Sequence, residues 1–158
     1  YQPSVIVELG TSLGITTAYL AQANKKAHVY TLEGARSIAA IARSNFHTLS
    51  LSNVTITEGN FSVTLPDLLQ KLPVVDLAFV DGNHRKEPTL QYFQQLLQKT
   101  SPQSILVFDD IHWSEEMQEA WEYIKNHEKV TCTIDIFEMG IVFLRKEFRQ
   151  KQHMQITY

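Results

Sequence analysis

Cysteine is all but missing from this 158-residue chain, where Cys132 stands alone. An intrachain disulfide is therefore excluded, and the chain is expected in a reducing compartment, the cytoplasm. Cys132 lies in the β-branched run Val130-Thr-Cys-Thr-Ile134, where a lone thiol reads as a small sheet residue. No apolar run approaches the roughly 20 residues of a transmembrane helix, and no signal-peptide pattern is present. Neither charge is in excess. Fourteen Lys and Arg face 17 Asp and Glu, a net charge of −3, which argues against a nucleic-acid footprint and against an acidic tail. The basic run Arg145, Lys146, Arg149, Lys151 is broken by Glu147 and reads as solvated surface. Internal repeats and linkers are also lacking. What is present is 44% hydrophobic residues, enough for one core in one domain spanning residues 1–158. A strand pattern opens as early as Ser4, so elements that would precede the first strand are expected to be missing.

Strand-like and helix-like segments alternate along the chain. Val5–Val7 is a short buried strand, followed by a helix over 14–23 with Ile15, Ala18 and Tyr19 at helical spacing. His28–Leu32 is the second strand. Ile38, Ile41, Ala42, Phe46 and Leu49 mark a helical face. Val54–Thr57 is β-branched and reads as the third strand. Pro66–Leu72 is a short helix with Leu65, Leu68, Leu69 and Leu72 inward. Val74–Val80 is the fourth strand, and Leu90, Phe93, Leu96 and Leu97 belong to a helix closed by Ser101-Pro102. Ile105–Phe108 is the fifth strand. Ser114 has the character of an N-cap, with Glu115 and Glu116 in the turn where the helix dipole favours acids. Met117, Trp121 and Ile124 line that helix as core. Val130–Phe137 and Gly140–Leu144 form a closing hairpin, and the tail Met154–Tyr158 alternates as an edge strand. The fold expected is a doubly wound α/β sheet of seven strands, mostly parallel, covered on both faces, with an antiparallel C-terminal hairpin strand.

In such a sheet, ligands bind beyond the carboxyl ends of the strands. Five segments fall there: Gly10-Thr-Ser-Leu-Gly14, Glu33-Gly34, Glu58-Gly59-Asn60, Asp81-Gly82-Asn83-His84 and Asp109-Asp110-Ile111-His112. Turns need glycine and polar residues, but they do not need acids at four of five strand ends. The first loop says most. Its glycines let the backbone approach a ligand, and the following helix offers free N–H groups. The G-x-G-x-x-G of dinucleotide enzymes is absent. In its place stands Glu8-x-Gly10-x-x-x-Gly14. An acid at the strand end repels a pyrophosphate and suits an ammonium or sulfonium, both carried by S-adenosylmethionine (SAM). Glu33 follows at the distance of a ribose-binding acid. As bland alternatives, Glu8 is a capped strand-end acid and Glu33 a solvated turn residue.

Glu8-Leu-Gly-Thr-Ser-Leu-Gly14-Ile-Thr-Thr resembles the first motif of class I SAM-dependent methyltransferases, in particular the catechol and caffeoyl-CoA O-methyltransferase group. The likeness runs in order from Val5 to about Trp113. Thr-Leu-Glu33 is similar to the group's ribose-binding motif, and Glu58-Gly59-Asn60-Phe61 to the loop that passes the adenine. Phe79-Val80-Asp81-Gly-Asn-His84 and Val107-Phe108-Asp109-Asp110-Ile-His-Trp113 resemble the motifs after strands four and five. The resemblance implies cofactor contacts at Glu8, Gly10, Ser12, Gly14, Thr16, Glu33, Gly59, Asn60, Phe61 and Asp81. It implies a divalent cation, Mg²⁺ or another hard ion, at Asp81, Asp109 and Asp110. Two positions depart from the pattern. His84 stands where the group has a lysine base, and Asp109-Asp110 where it has Asp-Asn. His84 and Asp81 are the catalytic candidates, His84 as proton acceptor. Structural alternatives are a loop histidine at 84 and turn-forming acids at 109 and 110. His112 reads as packing beside Trp113, which is placed to shape an acceptor pocket.

The function so implied is methyl transfer from SAM to a small-molecule acceptor, at oxygen, with a divalent cation as an open element. No nucleic acid or membrane partner is expected, and the terminal strands suit a homodimer. The alternatives are an NAD(P)-type Rossmann oxidoreductase, which lacks its glycine fingerprint here, and a non-catalytic SAM- or nucleotide-binding module.

Overall fold

The computed structural model describes residues 1–156. Its elements run β1 (Val5–Leu9), α1 (Ile15–Ala23), β2 (His28–Glu33), α2 (Arg36–Thr48), β3 (Val54–Glu58), α3 (Phe61–Lys71), β4 (Val75–Val80), α4 (Lys86–Leu97), β5 (Thr100–Asp109), α5 (Glu115–Asn126), β6 (Cys132–Asp135), β7 (Met139–Phe143) and β8 (Gln152–Gln155). They build one sheet in the order β3-β2-β1-β4-β5-β7-β6-β8. β1 to β5 pair in parallel, and β7 lies antiparallel between β5 and β6. This is the doubly wound architecture expected, with eight strands among the described residues instead of seven. The eighth is the tail strand. It forms at 152–155, parallel to β6, and Thr157 and Tyr158 of the expected strand lie outside the described residues.

One face of the sheet carries the main core. Val7, Leu9, Leu32, Ala78, Val80, Leu106 and Phe108 pack there against Leu65, Leu68 and Leu69 of α3, Phe93 and Leu96 of α4, and Trp121 and Ile124 of α5. Ile6, Ala21, Ala27 and Val29 form the smaller core under α1. On that second face, the in-register residues Leu77, Phe79, Ile105, Val107, Ile141 and Phe143 of β4, β5 and β7 stay half-buried. Covering on both faces is thus fullest over β1 and β2 and thinner at β3 and beyond β4.

Two helical faces differ from their apolar spacing. In α1, Thr17, Ala18 and Ala21 are buried, while Ile15 and Tyr19 are exposed. In α2, Ala39, Ala42 and Phe46 are buried, while Ile41 and Leu49 are exposed. Small residues face inward because both helices lie close on the sheet. The two helices also lie close to each other, since a Cβ on Gly14, which caps α1, would stand 2.4 Å from Cε1 of Phe46 in α2.

α3 begins at Phe61 rather than Pro66. Asn60 caps it, accepting from the Ser62 N–H at 3.0 Å. This turns the loop after β3 into a helix start. The predicted cap of α5 is present, with Ser114 Oγ accepting from the Met117 N–H at 3.2 Å.

Candidate active site at the strand ends

The chain leaves β1 toward β2 and β3, then crosses to β4 and β5 on the other side. The switch point therefore lies between the carboxyl ends of β1 and β4. Gly10 and Asp81 meet there. The Asp81 N–H donates to the Leu9 carbonyl at 2.9 Å. Gly10 has φ +99°, and a Cβ on it would sit 1.8 Å from the Asp81 carbonyl oxygen, so no other residue fits.

Glu8 sits under this loop with 0% of its surface exposed. β1–β2 register sets it opposite Thr31. Thr31 Oγ1 donates to Glu8 Oε2 at 2.6 Å, Thr17 Oγ1 donates to the same oxygen, and Thr11 Oγ1 shares a 2.6 Å hydrogen bond with Thr31. Glu8 Oε1 is buried without a partner. Burial pushes the Glu8 carboxyl up to about 7, against the two threonine hydrogen bonds and with a smaller push from Asp81. An orphaned acceptor of this kind is costly.

Glu33, at the end of β2, is braced by backbone. Its Oε2 accepts from the Ser12 N–H at 2.9 Å and its Oε1 from the Ala35 N–H at 2.8 Å. These bonds tie the first loop to the second strand end. A cavity of about 320 Å³ opens beside it, lined by Gly34, Asn60, Phe61, Asn83 and Tyr92. Phe61 and Tyr92 meet edge to face at 6.0 Å, and Asn83 Nδ2 donates to Tyr92 Oη at 3.1 Å. Gly59, with φ +136°, makes the turn that brings Asn60 and Phe61 in. Thr16, by contrast, lies within α1, and nothing in the geometry ties it to the cavity.

The acids after β4 and β5 come together. His84 lies between them, Nε2 at 3.6 Å from Asp81 Oδ1 and Nδ1 at 3.5 Å from Asp110 Oδ2. Burial pushes Asp109 up to about 6, helped by the neighbouring charges of Asp81 and Asp110. Asp81 is raised for the same first reason. This donor chemistry fits a hard cation. As they stand, however, no three His, Cys, Asp or Glu side chains among the described residues gather in a metal-holding group. Four of the five non-glycine residues with positive φ lie at these strand ends: Ser12, Asn83, Asp110 and Phe137. Such strain collects at functional sites.

Sequence reasoning missed two features. Thr31 became visible only through the β1–β2 register that sets it opposite Glu8, and Thr17 only through the packing of α1 over β1. The other is the outer rim. His112, read as packing beside Trp113, makes contacts across the sheet. Its Nε2 lies 2.9 Å from Asp135 Oδ2, and its ring stacks on Phe137 at 5.6 Å. Asp135 also accepts from Trp121 Nε1 at 3.2 Å and from the Phe137 N–H at 2.9 Å. Trp113 and Phe137 are left 73% and 62% exposed beside the acids.

A doubly wound sheet with an acid-and-glycine loop at its switch point, in place of a pyrophosphate loop, defines a class I methyltransferase architecture. The methyltransferase-domain family matches residues 7–111, and the chain belongs to that family, the SAM-dependent one. The NAD(P)-type alternative falls away with this assignment. The fold is shared with solved structures at low identity. One is the O-methyltransferase TomG from Streptomyces achromogenes, involved in tomaymycin synthesis and solved with SAM. It is 21% identical, with 91% of this chain and 74% of that one covered at a TM-score of 0.77. The O-methyltransferase from Bacillus cereus, in complex with S-adenosylhomocysteine (SAH), is 21% identical over 89% and 74%, TM-score 0.75. The SAH-bound methyltransferase PaMTH1 of Podospora anserina is 19% identical over 91% and 73%, TM-score 0.77. No curated protein sequence matches the chain. No helix among the described residues is long and apolar enough to cross a membrane.

Proposed function

We propose that the protein methylates a hydroxyl of a small-molecule acceptor bound over the ends of β4 and β5. The observation that carries this reading is His84 held between the Asp81 and Asp110 carboxylates, one strand away from the Gly10 loop. SAM supplies an electrophilic methyl group on a sulfonium. The rest is the work of the chain. The Gly10–Gly14 loop and the Glu8 charge receive the amino-acid arm, with Ser12 and Gly14 in that loop. Glu33 receives the ribose, and the Gly59-Asn60-Phe61 turn receives the base. An acceptor hydroxyl is a poor nucleophile until its proton leaves. A His84 ring nitrogen takes that proton, with the Asp81 and Asp110 carboxylates on either side of the ring. Asp81, Asp109 and Asp110 are the residues that would hold a divalent cation, whose chemistry there is to lower the pKa of a bound hydroxyl.

The test is transfer of a labelled methyl group from SAM to a panel of hydroxylated small molecules. His84→Ala is expected to lower kcat by roughly 10²–10⁴ while leaving SAH affinity within about twofold. Normal turnover by that variant would remove His84 from the mechanism. Titration calorimetry with Mg²⁺, Mn²⁺ and Ca²⁺ in the presence of SAH decides the cation, and absence of heat for all three would remove it.

A further inference from the structure

Glu8 is the most deeply buried acid of the cleft, and its two oxygens are treated differently. Oε2 receives two hydroxyl donors, from Thr17 on α1 and Thr31 on β2, while Oε1 receives none. Thr11 completes the set by bonding Thr31 from the loop above. Among the described residues, the one charged group acting on this carboxyl from a neighbouring element is Asp81, beyond β4, and its negative charge opposes ionisation. α1 and β2 present hydroxyls to it, and neither presents a cation. Among the described residues, no side chain therefore compensates a Glu8 charge. A ligand ammonium above the loop does, and in a low-dielectric interior its field acts over several ångströms without direct contact.

We propose that Thr17 and Thr31 are positioning residues that hold Glu8 with one oxygen free, so that uptake of an ammonium-bearing ligand by the cleft is coupled to loss of the Glu8 proton. The inference rests on the cofactor reading above. It adds that cofactor binding is proton-linked, with Glu8 as the linked group. Burial holds the Glu8 carboxyl near neutrality in the free protein, so the coupling falls in an accessible range. The sign follows from linkage. Below that pH the proton must leave before the ammonium is held, and ligand affinity weakens by up to about tenfold per pH unit. Above it, affinity levels off.

The experiment is calorimetric titration of the intact chain with SAH between pH 5.5 and 8.5, in pairs of buffers of different ionisation heat. SAH carries the ammonium, and its own groups keep their charge over this range. 5′-Methylthioadenosine, which lacks the amino-acid arm, serves as the control. Expected is release of close to one proton per SAH at the acid end, a dissociation constant that falls and then levels with rising pH, and a flat profile for the control. Glu8→Gln removes the proton release. Thr17→Val and Thr31→Val move the midpoint of the profile upward, and Thr→Ser at either site restores it. A purely structural role for the threonines would change affinity without moving the midpoint. Thermal unfolding and methylthioadenosine binding show that each variant is folded. Should Glu8→Gln fail to fold, the threonine series carries the test. SAH binding without proton release, or with release unchanged in Glu8→Gln, overturns the inference and leaves the cofactor reading standing. No SAH binding at any pH by the folded native chain overturns the cofactor reading, and the inference with it.

Discussion

At the scale of single residues, the site is built from positions that tolerate no substitution and positions that resist their own charge. Gly10 is of the first kind. A methyl group there enters the Asp81 carbonyl, and φ is +99°, so Gly10→Ala must displace either the loop or the end of β4. The expected cost is about 3 kcal/mol in urea unfolding, together with loss of SAH binding. A stable variant that still binds SAH would show that the loop has another conformation. Asp109 is of the second kind. Its folded-state pKa, near 6, stands above the ordinary value of 3.8 because of burial and the charges of Asp81 and Asp110. The protonated form is thus favoured by folding, and the penalty grows as pH rises from about 4 through 6 and is complete above. Asp109→Asn should therefore raise the thermal midpoint at pH 8 and leave it nearly unchanged at pH 4. An equal effect at both pH values would mean the acid is not strained by its neighbours. If Mg²⁺ occupies the site, it should raise the midpoint of the native chain at pH 8 more than that of the variant.

At the scale of elements, the loops are tied to one another more than to solvent. Asp135, at the end of β6, gathers His112 from the β5 loop, Trp121 from α5 and the N–H of Phe137 from the hairpin turn. These bonds outweigh its burial and hold its carboxyl below the ordinary range. Asp135→Ala strands a buried indole N–H and releases Phe137, which has φ +72°. A loss of about 2 kcal/mol at pH 7 is expected. The difference should shrink as pH falls below about 4, since a depressed folded pKa gives stability that is present above the unfolded value and lost below it. A pH-independent loss would assign the effect to packing alone. This rim was illegible from the primary structure because it depends on β7 inserting between β5 and β6, which brings 112 beside 135. The strand ends were legible because parallel βα units place each post-strand loop on one side of the sheet whatever the helices do. Glu8, Asp81 and Asp109 could thus be grouped from order alone. The inward faces of α1 and α2 were legible only in part. Apolar spacing placed Ala18, Ala42 and Phe46 inward, where they are buried, but it also pointed to Ile15, Tyr19 and Ile41, which are exposed, and passed over Thr17, Ala21 and Ala39, which are buried. Pro66 likewise masked a helix that Asn60 caps and that begins at Phe61, more than a turn earlier.

At the scale of the whole molecule, the two ends of the sheet are unequal in what they hold. β1, β4 and β5 carry the cleft and the main core, whereas β8 is exposed at every residue and pairs with β6 alone. It is also tied by the His153–Thr133 hydrogen bond and, just before it, by Lys151, whose Nζ donates to the carbonyls of Asn126 and His127 at the end of α5. A chain ending at Gln150 loses this cap and one short ladder. The expected loss is about 1 kcal/mol, with the cleft intact and SAH affinity unchanged. The truncation also uncovers the backbone edge of β6, where Cys132 and the β-branched Thr133 and Ile134 offer an unpaired stretch. Light scattering should accordingly find the shortened chain self-associating at concentrations where the full chain does not, while SAH titration gives the same dissociation constant for both. Loss of SAH binding on truncation would place the far edge in communication with the cleft. That result would contradict the division of labour seen in the core, where the residues beneath Gly10 and Asp81 pack on α3, α4 and α5 and owe nothing to β8.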